Sequence, residues 1–182
     1  MTPMRPTGRI ACILALATLA AFGPVVGHNF VAWDDDINVY ENPHLHPPTL
    51  QNTLQFWRGS YQHLYIPLTY SFWAAAAQWA GGAAAFHALN LVFHILSVLV
   101  VFSILRILVK EDWPAAIGAL VFAVHPVQVE PVAWVTGFKD VLCGFFSLVA
   151  IREYLACDDA RRRYHPIATT ALMELMLTMA PG

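Results

Sequence analysis

Charged residues are scarce in this sequence. Asp, Glu, Lys and Arg make up 12% of its 182 residues, and 58% of the residues are hydrophobic, whereas soluble domains contain about 25% charged residues. The formal net charge is −2, so the sequence lacks the basic excess with which proteins attract nucleic acid, and we expect no nucleic-acid partner. So few charges cannot cover a water-soluble surface, and they predict an integral membrane protein with the lipid bilayer as a partner.

Cysteine is also rare. Cys12, Cys143 and Cys157 lie in or beside apolar stretches. They have neither the spacing of a metal site nor the pairing in polar loops that a disulfide framework requires. We therefore expect them to be small, buried, apolar side chains.

Long hydrophobic runs, by contrast, are plentiful. We expect four membrane spans, near residues 10–27, 86–109, 114–133 and 140–156, and the start of a further, truncated span at 166–180. Each span should be a helix, because lipid offers no partner for backbone N–H and C=O groups. The sequence therefore predicts an all-α membrane protein, a multi-spanning helical bundle.

The first hydrophobic run has two interpretations. It follows Arg5 and Arg9 and contains no charge from Ile10 to Val26, a length near the lower limit of about 17 residues for a spanning helix. A cleavable signal peptide would have a similar pattern. We favour a retained signal-anchor because several more spans follow, and in either case the next segment is exported.

The third predicted span is interrupted. Its apolar run, 115–124, is too short to cross about 30 Å of hydrocarbon. It must therefore continue past His125 and Pro126 or be completed by the surrounding protein. Pro114 is expected at the first position of this helix, where its missing N–H is not needed.

Two exported loops are predicted, at 28–85 and 125–140. Residues 28–66 are polar and aromatic, with several prolines and Asn42 as turn formers, and predict an irregular loop. The uncharged, aromatic segment 67–79 is predicted as a helix in the membrane interface or as a shallow re-entrant piece.

Basic residues are distributed unevenly between the two sides of this arrangement. With the N-terminus in the cytoplasm, the cytoplasmic set is Arg5, Arg9, Arg106, Lys110, Arg152, Arg161, Arg162 and Arg163, and the exported set is Arg58 and Lys139. Loops on the cytoplasmic side carry an excess of Lys and Arg. The bias therefore predicts a cytoplasmic N-terminus, with both loops on the exported (periplasmic, extracellular or lumenal) side.

Four polar residues recur along the second span: His87, Asn90, His94 and Ser97. Their spacing places them on one stripe of a helix, which we expect to face the bundle interior and not lipid. Interhelical hydrogen bonding is the simpler interpretation. The two histidines are too far apart for the i, i+4 ligand pair of helical zinc sites.

The first exported loop contains three adjacent carboxylates, Asp34, Asp35 and Asp36. Like charges this close repel one another, so at least one should hold its proton more tightly unless a cation lies nearby. A carboxylate near the interface can act as a general base toward a hydroxyl. A solvated acidic turn is the alternative interpretation, and the triplet alone does not decide between them.

The second exported loop carries His125, Glu130, Lys139 and Asp140 within an apolar segment. Ionisable groups near membrane depth usually face a cavity or a partner. Lys139 is a cation on the exported side, against the charge bias, and it would suit a lipid phosphate. The alternative is an interfacial anchor formed by Lys139 with Asp140.

Four segments carry a family resemblance: FVAWDDDINVYENP, YIPLTYSFW, FHALNLVFHIL and ALVFAVHPVQVEPVAWVTGFKDVLCGFFSL. In this order they resemble the N-terminal part of the multi-spanning, lipid-phospho-sugar-dependent glycosyltransferases of the GT-C fold. The O-mannosyltransferase-like members that carry tetratricopeptide repeats are the most similar. The resemblance covers roughly residues 28–155, and HPVQVEPVAW followed by GFKD is quite specific. It implies a GT-C-like N-terminal part of a larger bundle.

The resemblance implies a reaction and its site residues. Asp34 and Asp35 occupy the place of the family's acidic pair, which acts as the general base toward an acceptor hydroxyl, expected on a protein Ser or Thr. The acceptor oxygen would attack a sugar carried on polyprenyl phosphate, with inversion. The related mannosyltransferases resemble metal-independent enzymes, so no metal and no cofactor are expected.

The second loop matches the family through the same four ionisable residues, which are expected to face the same cavity. Lys139 is expected at the donor phosphate, and Glu130 and His125 are expected to position the sugar or the acceptor. Asp140 completes the substrate-binding set. Relatives often have a basic residue at the position of Phe138, so this part of the phosphate site differs from that of the family.

The family has many more helices and a helical repeat array, so the chain is interpreted as an N-terminal fragment that is inactive alone. A non-catalytic membrane scaffold or an inactive truncated paralogue is the alternative. A transporter is a third hypothesis, but the paired broken helices of transporters are not evident in the sequence.

Overall fold

A computed structural model describes residues 6–80 and 82–156. Its helices are α1 (Pro6–Phe22), α2 (Leu50–Arg58), α3 (Pro67–Ala80), α4 (Ala83–Val109), α5 (Asp112–Val124), α6 (Val129–Ala133) and α7 (Phe138–Ala156). Short helical turns at Gly23–Gly27, Asp36–Tyr40 and Pro126–Gln128 complete the set. Every regular element in these residues is helical, as predicted. The truncated span at 166–180, Cys157 and the basic residues Arg5, Arg161, Arg162 and Arg163 lie outside the described residues.

Two described helices are long and apolar enough to cross a membrane. They are the segment Thr7–Gly27, with 21 residues, and α4, with 27. The pair Asp112–Val124 and Pro126–Ala133 would count as a third span if it is one bent helix, with an angle of 47° between its parts. These findings support a membrane protein, while a bundle of more spans stays a prediction.

The predicted fourth span corresponds to α7. This helix has 19 residues, and its sequence includes Lys139, Asp140, Arg152 and Glu153. With these charges it is not among the described helices that qualify as spans by length and composition. Its crossing of the membrane therefore stays a prediction.

Proline explains the break after α5. His125 is extended, with φ −64° and ψ 134°, because the ring of a following proline disfavours the helical conformation of the residue before it. Pro114 lies in the first turn of α5, as expected, but at its third residue, since the helix begins at Asp112. The first four N–H groups of a helix have no partner within it, so a proline is tolerated there.

The central helix of the structure is α4, which contacts α1, α3, α5, α6 and α7. On one side it packs with α1 and α5 in a cluster rich in small residues, which we call the alanine cluster: Ile10, Leu14, Val98, Phe102, Ala115, Ala116, Ala119 and Ala123. Small residues let the backbones of membrane helices approach closely. This cluster brings the two qualifying spans together with α5.

The N-terminal part of α4 contributes Phe86 to a second cluster, built from the two predicted exported loops and the helices beside them. This aromatic cluster comprises Val39, Leu45, Phe56, Ile66, Tyr70, Trp73, Ala74, Phe86, Val135, Phe138 and Leu142. Phe56 and Tyr70 stack in parallel at 4.1 Å between ring centroids. The cluster joins residues 39–74 to the segment 135–142, so the two loops form one body.

The prediction of an irregular loop at 28–66 is wrong for part of that segment. Thr49 caps the start of α2 by accepting a hydrogen bond from the N–H of Asn52 at 3.2 Å. A Thr at this position satisfies one of the free N–H groups of the first turn. The helix then buries Phe56 against the aromatic cluster, which a count of turn-forming residues does not reveal.

Cys12 also differs from expectation. It is exposed on α1, on the same helix as the exposed Ile13, Leu16 and Leu19. In a spanning helix such an apolar outward face suits lipid contact. Burial was therefore the wrong prediction for Cys12, while Cys143 is half-buried.

Candidate functional site where the two loops meet

The acidic segment, residues 34–36, begins a short helical turn. Hydrogen bonds from buried side chains fix the backbone of this turn. The Asn38 side-chain amide donates to the carbonyl oxygen of Asp34 at 3.1 Å. The hydroxyl of Tyr70 in α3 donates to Oδ1 of Asn38 at 3.0 Å. Both Asn38 and Tyr70 are buried. The position of the acidic segment is thus fixed relative to α3.

Asp35 accepts more hydrogen bonds than either of the other two aspartates. It is fully buried, and its Oδ1 accepts hydrogen bonds from both the backbone N–H and the hydroxyl of Thr136. Its Oδ2 accepts from the N–H of Val31 at 3.0 Å. No Lys or Arg within residues 6–80 and 82–156 forms an ion pair with it. These donors therefore compensate the loss of water around a buried carboxylate.

Hydrogen bonds from α4 fix the turn that carries Thr136. Asn90 donates from its amide nitrogen to the carbonyl oxygens of Pro131 at 3.1 Å and Trp134 at 2.6 Å. A Cβ at Gly137 would lie 2.8 Å from the carbonyl oxygen of Pro131 and 2.9 Å from its Cα. The chain can close this turn only because residue 137 has no side chain.

Asp34 is placed differently from its neighbour. It is half-buried, and in the described part of the chain its carboxylate has no hydrogen-bond or ion-pair partner, although its backbone carbonyl does. Asp36 accepts from the N–H of Ile37 at 2.8 Å. Of the three carboxylates, that of Asp34 is thus free for a substrate, in a segment whose backbone is fixed.

A groove of about 580 Å³ opens beside the acidic segment. Residues of both loops line it: His28, Val31, Trp33, Val129, Glu130, Ala133 and Trp134. Trp33, directly before Asp34, is 73% exposed, and Glu130 is also exposed. We call it the tryptophan groove. Two indoles with one carboxylate can contact the apolar face and the hydroxyl groups of the same ligand.

A second cleft, of about 360 Å³, lies between α4, α5 and α7. Its lining includes His94, Ser97, Gln128 and Asp140. Asp140 is partly exposed, yet the protein around its carboxyl raises the pKa by desolvation; Lys139 opposes this shift and Glu130 adds to it.

These two cavities do not bring the four predicted second-loop residues together, and the expectation that they face one cavity stays a prediction. Glu130 lines the tryptophan groove, Asp140 lines the second cleft, and His125 and Lys139 line neither. His125 is exposed, and its Nδ1 accepts from the N–H of Val127 at 3.2 Å. Because the loop folds into two short helical turns, its side chains are directed to different sides. Their roles stay predictions.

The polar stripe of α4 does face the interior, as predicted. His87, Asn90, His94 and Ser97 are all buried. Nε2 of His94 donates to the carbonyl oxygen of Ala123 at 2.9 Å, beside the break after α5. Asn90 and His94 of the stripe thus bond three carbonyl oxygens of the segment that runs from the end of α5 to just beyond α6. In residues 6–80 and 82–156 no cluster of His, Cys, Asp or Glu could hold a metal ion.

Three functional candidates escaped the sequence analysis. Thr136 is one hydroxyl in an apolar run, and nothing in its spacing points to Asp35, which lies 101 positions earlier. Trp33 directly precedes the acidic segment, and Trp134 lies within the second loop. The presence of a tryptophan in each loop could have suggested a shared groove. Phe138 is fully buried in the aromatic cluster, so its side chain does not reach a phosphate.

The chain is similar over most of its length to proteins of animals. It is 29% identical over 161 residues to Protein O-mannosyl-transferase TMTC3 of Homo sapiens, covering 81% of this chain and 17% of that protein. It is 30% identical over 151 residues to a protein O-mannosyl-transferase of Caenorhabditis elegans, covering 76% of this chain and 22% of that protein. These relatives are protein O-mannosyl-transferases.

A shorter stretch of 70 residues, 38% of this chain, is 39% identical to Protein O-mannosyl-transferase TMTC1 of Homo sapiens. The chain spans only 17% of the length of the human TMTC3 relative. No family model and no solved structure matches it. The similarity supports the family that the sequence resembles, and the GT-C fold and the repeat array stay predictions.

Proposed function

We propose that this chain forms the catalytic-loop region of a membrane glycosyltransferase that acts on the exported face of the bilayer. The enzyme transfers a sugar from a polyprenyl-phosphate donor to a hydroxyl acceptor on a protein Ser or Thr, with inversion. Two observations support the proposal: the relatives are named O-mannosyl-transferases, and Asp35 of the acidic segment is bonded to Thr136 of the second loop next to a groove that residues of both loops line.

The observation that carries the mechanism is the contrast between two adjacent carboxylates. A general base must come within hydrogen-bond reach of the proton that it removes. Asp35 is buried, with both oxygens engaged by Thr136 and Val31. Asp34 has a carboxylate without such partners. We therefore assign the general base to Asp34 and a structural role to Asp35, which refines the acidic pair of the sequence analysis.

The chemical step is a single displacement. The Asp34 carboxylate takes the proton of the acceptor hydroxyl, and the acceptor oxygen forms a bond to the anomeric carbon of the sugar. The bond from that carbon to the phosphate oxygen breaks, and its electron pair leaves with polyprenyl phosphate. Attack from the face opposite the phosphate inverts the configuration.

The tryptophan groove receives the reacting groups. Trp33 and Trp134 offer apolar faces, and Glu130 can accept hydrogen bonds from hydroxyl groups. A carboxylate repels a phosphate, so the groove takes the sugar or the acceptor, and the phosphate lies outside it. Lys139 at the start of α7 is assigned to the phosphate, and His125 to the positioning of the sugar or acceptor.

The proposed arrangement in the bilayer is supported by the apolar helices and by the distribution of basic residues. The segment Thr7–Gly27 and α4 cross the bilayer, and the broken pair formed by α5 and α6 enters it from the cytoplasmic side. The N-terminus lies in the cytoplasm, since this orientation leaves most basic residues there.

The test compares Asp34→Asn with Asp36→Asn in the natural protein, which is purified and reconstituted into liposomes. Transfer from a polyprenyl-phosphate mannose donor to a Ser/Thr peptide is measured as turnover. Asp34→Asn is expected to lower kcat by about 10²- to 10⁴-fold, the contribution of a positioned general base.

Asp36→Asn is the matched control, because its Oδ1 can still accept the bond from Ile37. It is expected to change kcat by less than about 3-fold, as for a side chain outside the reaction. Wild-type turnover by Asp34→Asn would show that the base is elsewhere. Absence of transfer by the folded wild-type protein with several sugar donors would favour the scaffold hypothesis.

A further inference from the structure

Thr136 joins the two loops at a point where neither its side chain nor its backbone is exposed. Both Thr136 and Asp35 have 0% exposure, and the hydroxyl and N–H of Thr136 converge on one carboxylate oxygen. A buried Thr needs only one acceptor for its hydroxyl, so this two-donor arrangement fixes both the distance and the orientation of its partner.

The two sides of this contact are anchored to different helices. Behind Thr136, Asn90 binds two carbonyl oxygens of the same turn and so ties it to α4. Behind Asp35, the next helical turn is bound by Asn38, which Tyr70 ties to α3. The acidic segment is therefore held between α3 and α4, and Thr136 supplies the contact on the α4 side.

On the basis of the proposed function, we propose that Thr136 is a positioning residue for the reaction. By holding Asp35 it fixes the backbone of Asp34 and thereby sets the position of the free Asp34 carboxylate, next in sequence to Trp33 of the tryptophan groove. A free carboxylate on a rigid segment reacts better than one on a mobile loop, because its geometry is set before the substrate binds.

This role differs from a purely structural one in what it predicts for catalysis. If Thr136 aims the base, its loss lowers the rate of the chemical step and leaves substrate binding in the groove intact. If Thr136 only stabilises the fold, the folded fraction of a variant keeps its kcat. The split between kcat and KM therefore separates the two.

The experiment uses the natural full-length polypeptide in liposomes, with Thr136→Val and Thr136→Ser compared at saturating donor and peptide. Val keeps the size of the side chain and removes the hydroxyl, whereas Ser restores it. We expect Thr136→Val to lower kcat by about 10- to 100-fold, the effect of a misplacement of about 1 Å, with KM changed by less than about 3-fold. Thr136→Ser should recover kcat to within about 3-fold of the wild type.

Thr69 provides a matched control on α3. It is also fully buried, but its hydroxyl has no hydrogen-bond partner in the described part of the chain. Thr69→Val makes the same chemical change without breaking a bond, and kcat should stay at the wild-type value. If Thr136→Val does not fold, Thr136→Cys takes its place, because a thiol is a weaker donor; its kcat should fall clearly below that of Thr136→Ser.

The outcomes separate this inference from the proposed function. An inactive Asp34→Asn together with wild-type kcat for Thr136→Val, or for a folded Thr136→Cys, overturns the role of Thr136 alone. A fully active Asp34→Asn overturns the assignment of the base and this inference with it. Loss of kcat in Thr136→Val that Thr136→Ser does not recover also contradicts the inference.

Discussion

The alanine cluster and the aromatic cluster both pack on α4, but they are held together in different ways. The alanine cluster relies on close approach of helices through residues such as Ala115 and Ala119. The aromatic cluster contains large rings and is crossed by buried hydrogen bonds from Tyr70 to Asn38 and from Thr136 to Asp35. The first arrangement tolerates small shifts of side chains, whereas the second depends on fixed donor and acceptor positions.

This difference indicates where function can be built. Helix packing through small residues places spans beside one another, but it offers no free polar group. The hydrogen-bonded region around the acidic segment leaves one carboxylate, that of Asp34, unpaired on a rigid backbone. Substitutions in or beside the two clusters should therefore differ in their effects on stability, and the following four are ordered from the largest effect to the smallest.

Asp35→Ala should cause the greatest loss. It leaves the N–H and hydroxyl of Thr136 and the N–H of Val31 buried without an acceptor, and an unsatisfied buried group costs about 1–3 kcal/mol. We expect the free energy of unfolding to fall by about 3 kcal/mol or more, measured by thermal unfolding in detergent. Asp36→Ala is the control. An equal loss of unfolding free energy in Asp35→Ala and Asp36→Ala would mean that the buried contact between Asp35 and Thr136 does not stabilise the fold.

Gly137→Ala should come next. Its new Cβ would meet backbone atoms of Pro131 at 2.8 and 2.9 Å, and backbone cannot move aside without disturbing the bonds from Asn90. Overpacking of this kind costs about 1–3 kcal/mol. The same unfolding measurement applies, and an unchanged midpoint would show that the turn is looser than the hydrogen bonds indicate.

Tyr70→Phe removes one hydroxyl from the aromatic cluster and keeps its rings. Oδ1 of Asn38 then loses its donor in a buried site, and we expect a loss of about 1 kcal/mol. Tyr65→Phe, at an exposed residue whose hydroxyl bond is long at 3.4 Å, should have no measurable effect. Equal stability of the two variants would contradict the proposed link between α3 and the acidic segment.

Gly118→Ala tests the alanine cluster and should have the smallest effect. Its Cβ would meet only the terminal methyl group of Leu105, at 2.7 Å, and a flexible side chain can rotate away. The higher helix propensity of Ala, worth about 1 kcal/mol, offsets the remaining strain. We expect a stability within about 1 kcal/mol of the wild type, in contrast to Gly137→Ala, and a loss as large as that of Gly137→Ala would remove the distinction between the clusters.

Several features were predictable because they depend on local sequence. The apolar lengths predicted α1 and α4, the spacing of His87, Asn90, His94 and Ser97 predicted an interior stripe, and Pro126 predicted the interruption after α5. The short helix α2 was missed because only Phe56 of its large apolar residues is buried, in a cluster formed by distant segments. The exposure of Cys12 was missed because composition does not reveal which side of an apolar helix is outward.

The amino-acid sequence by itself determined the helical class and the apolar spans, because hydrophobic length and proline position act within a few residues. It also determined that three carboxylates stand together. Only the tertiary structure decided that Asp35 is enclosed by Thr136 while Asp34 remains free. The physical reason is that a buried carboxylate needs donors, and two of the three donors to Asp35 come from a turn 101 positions away, which folding alone brings into contact.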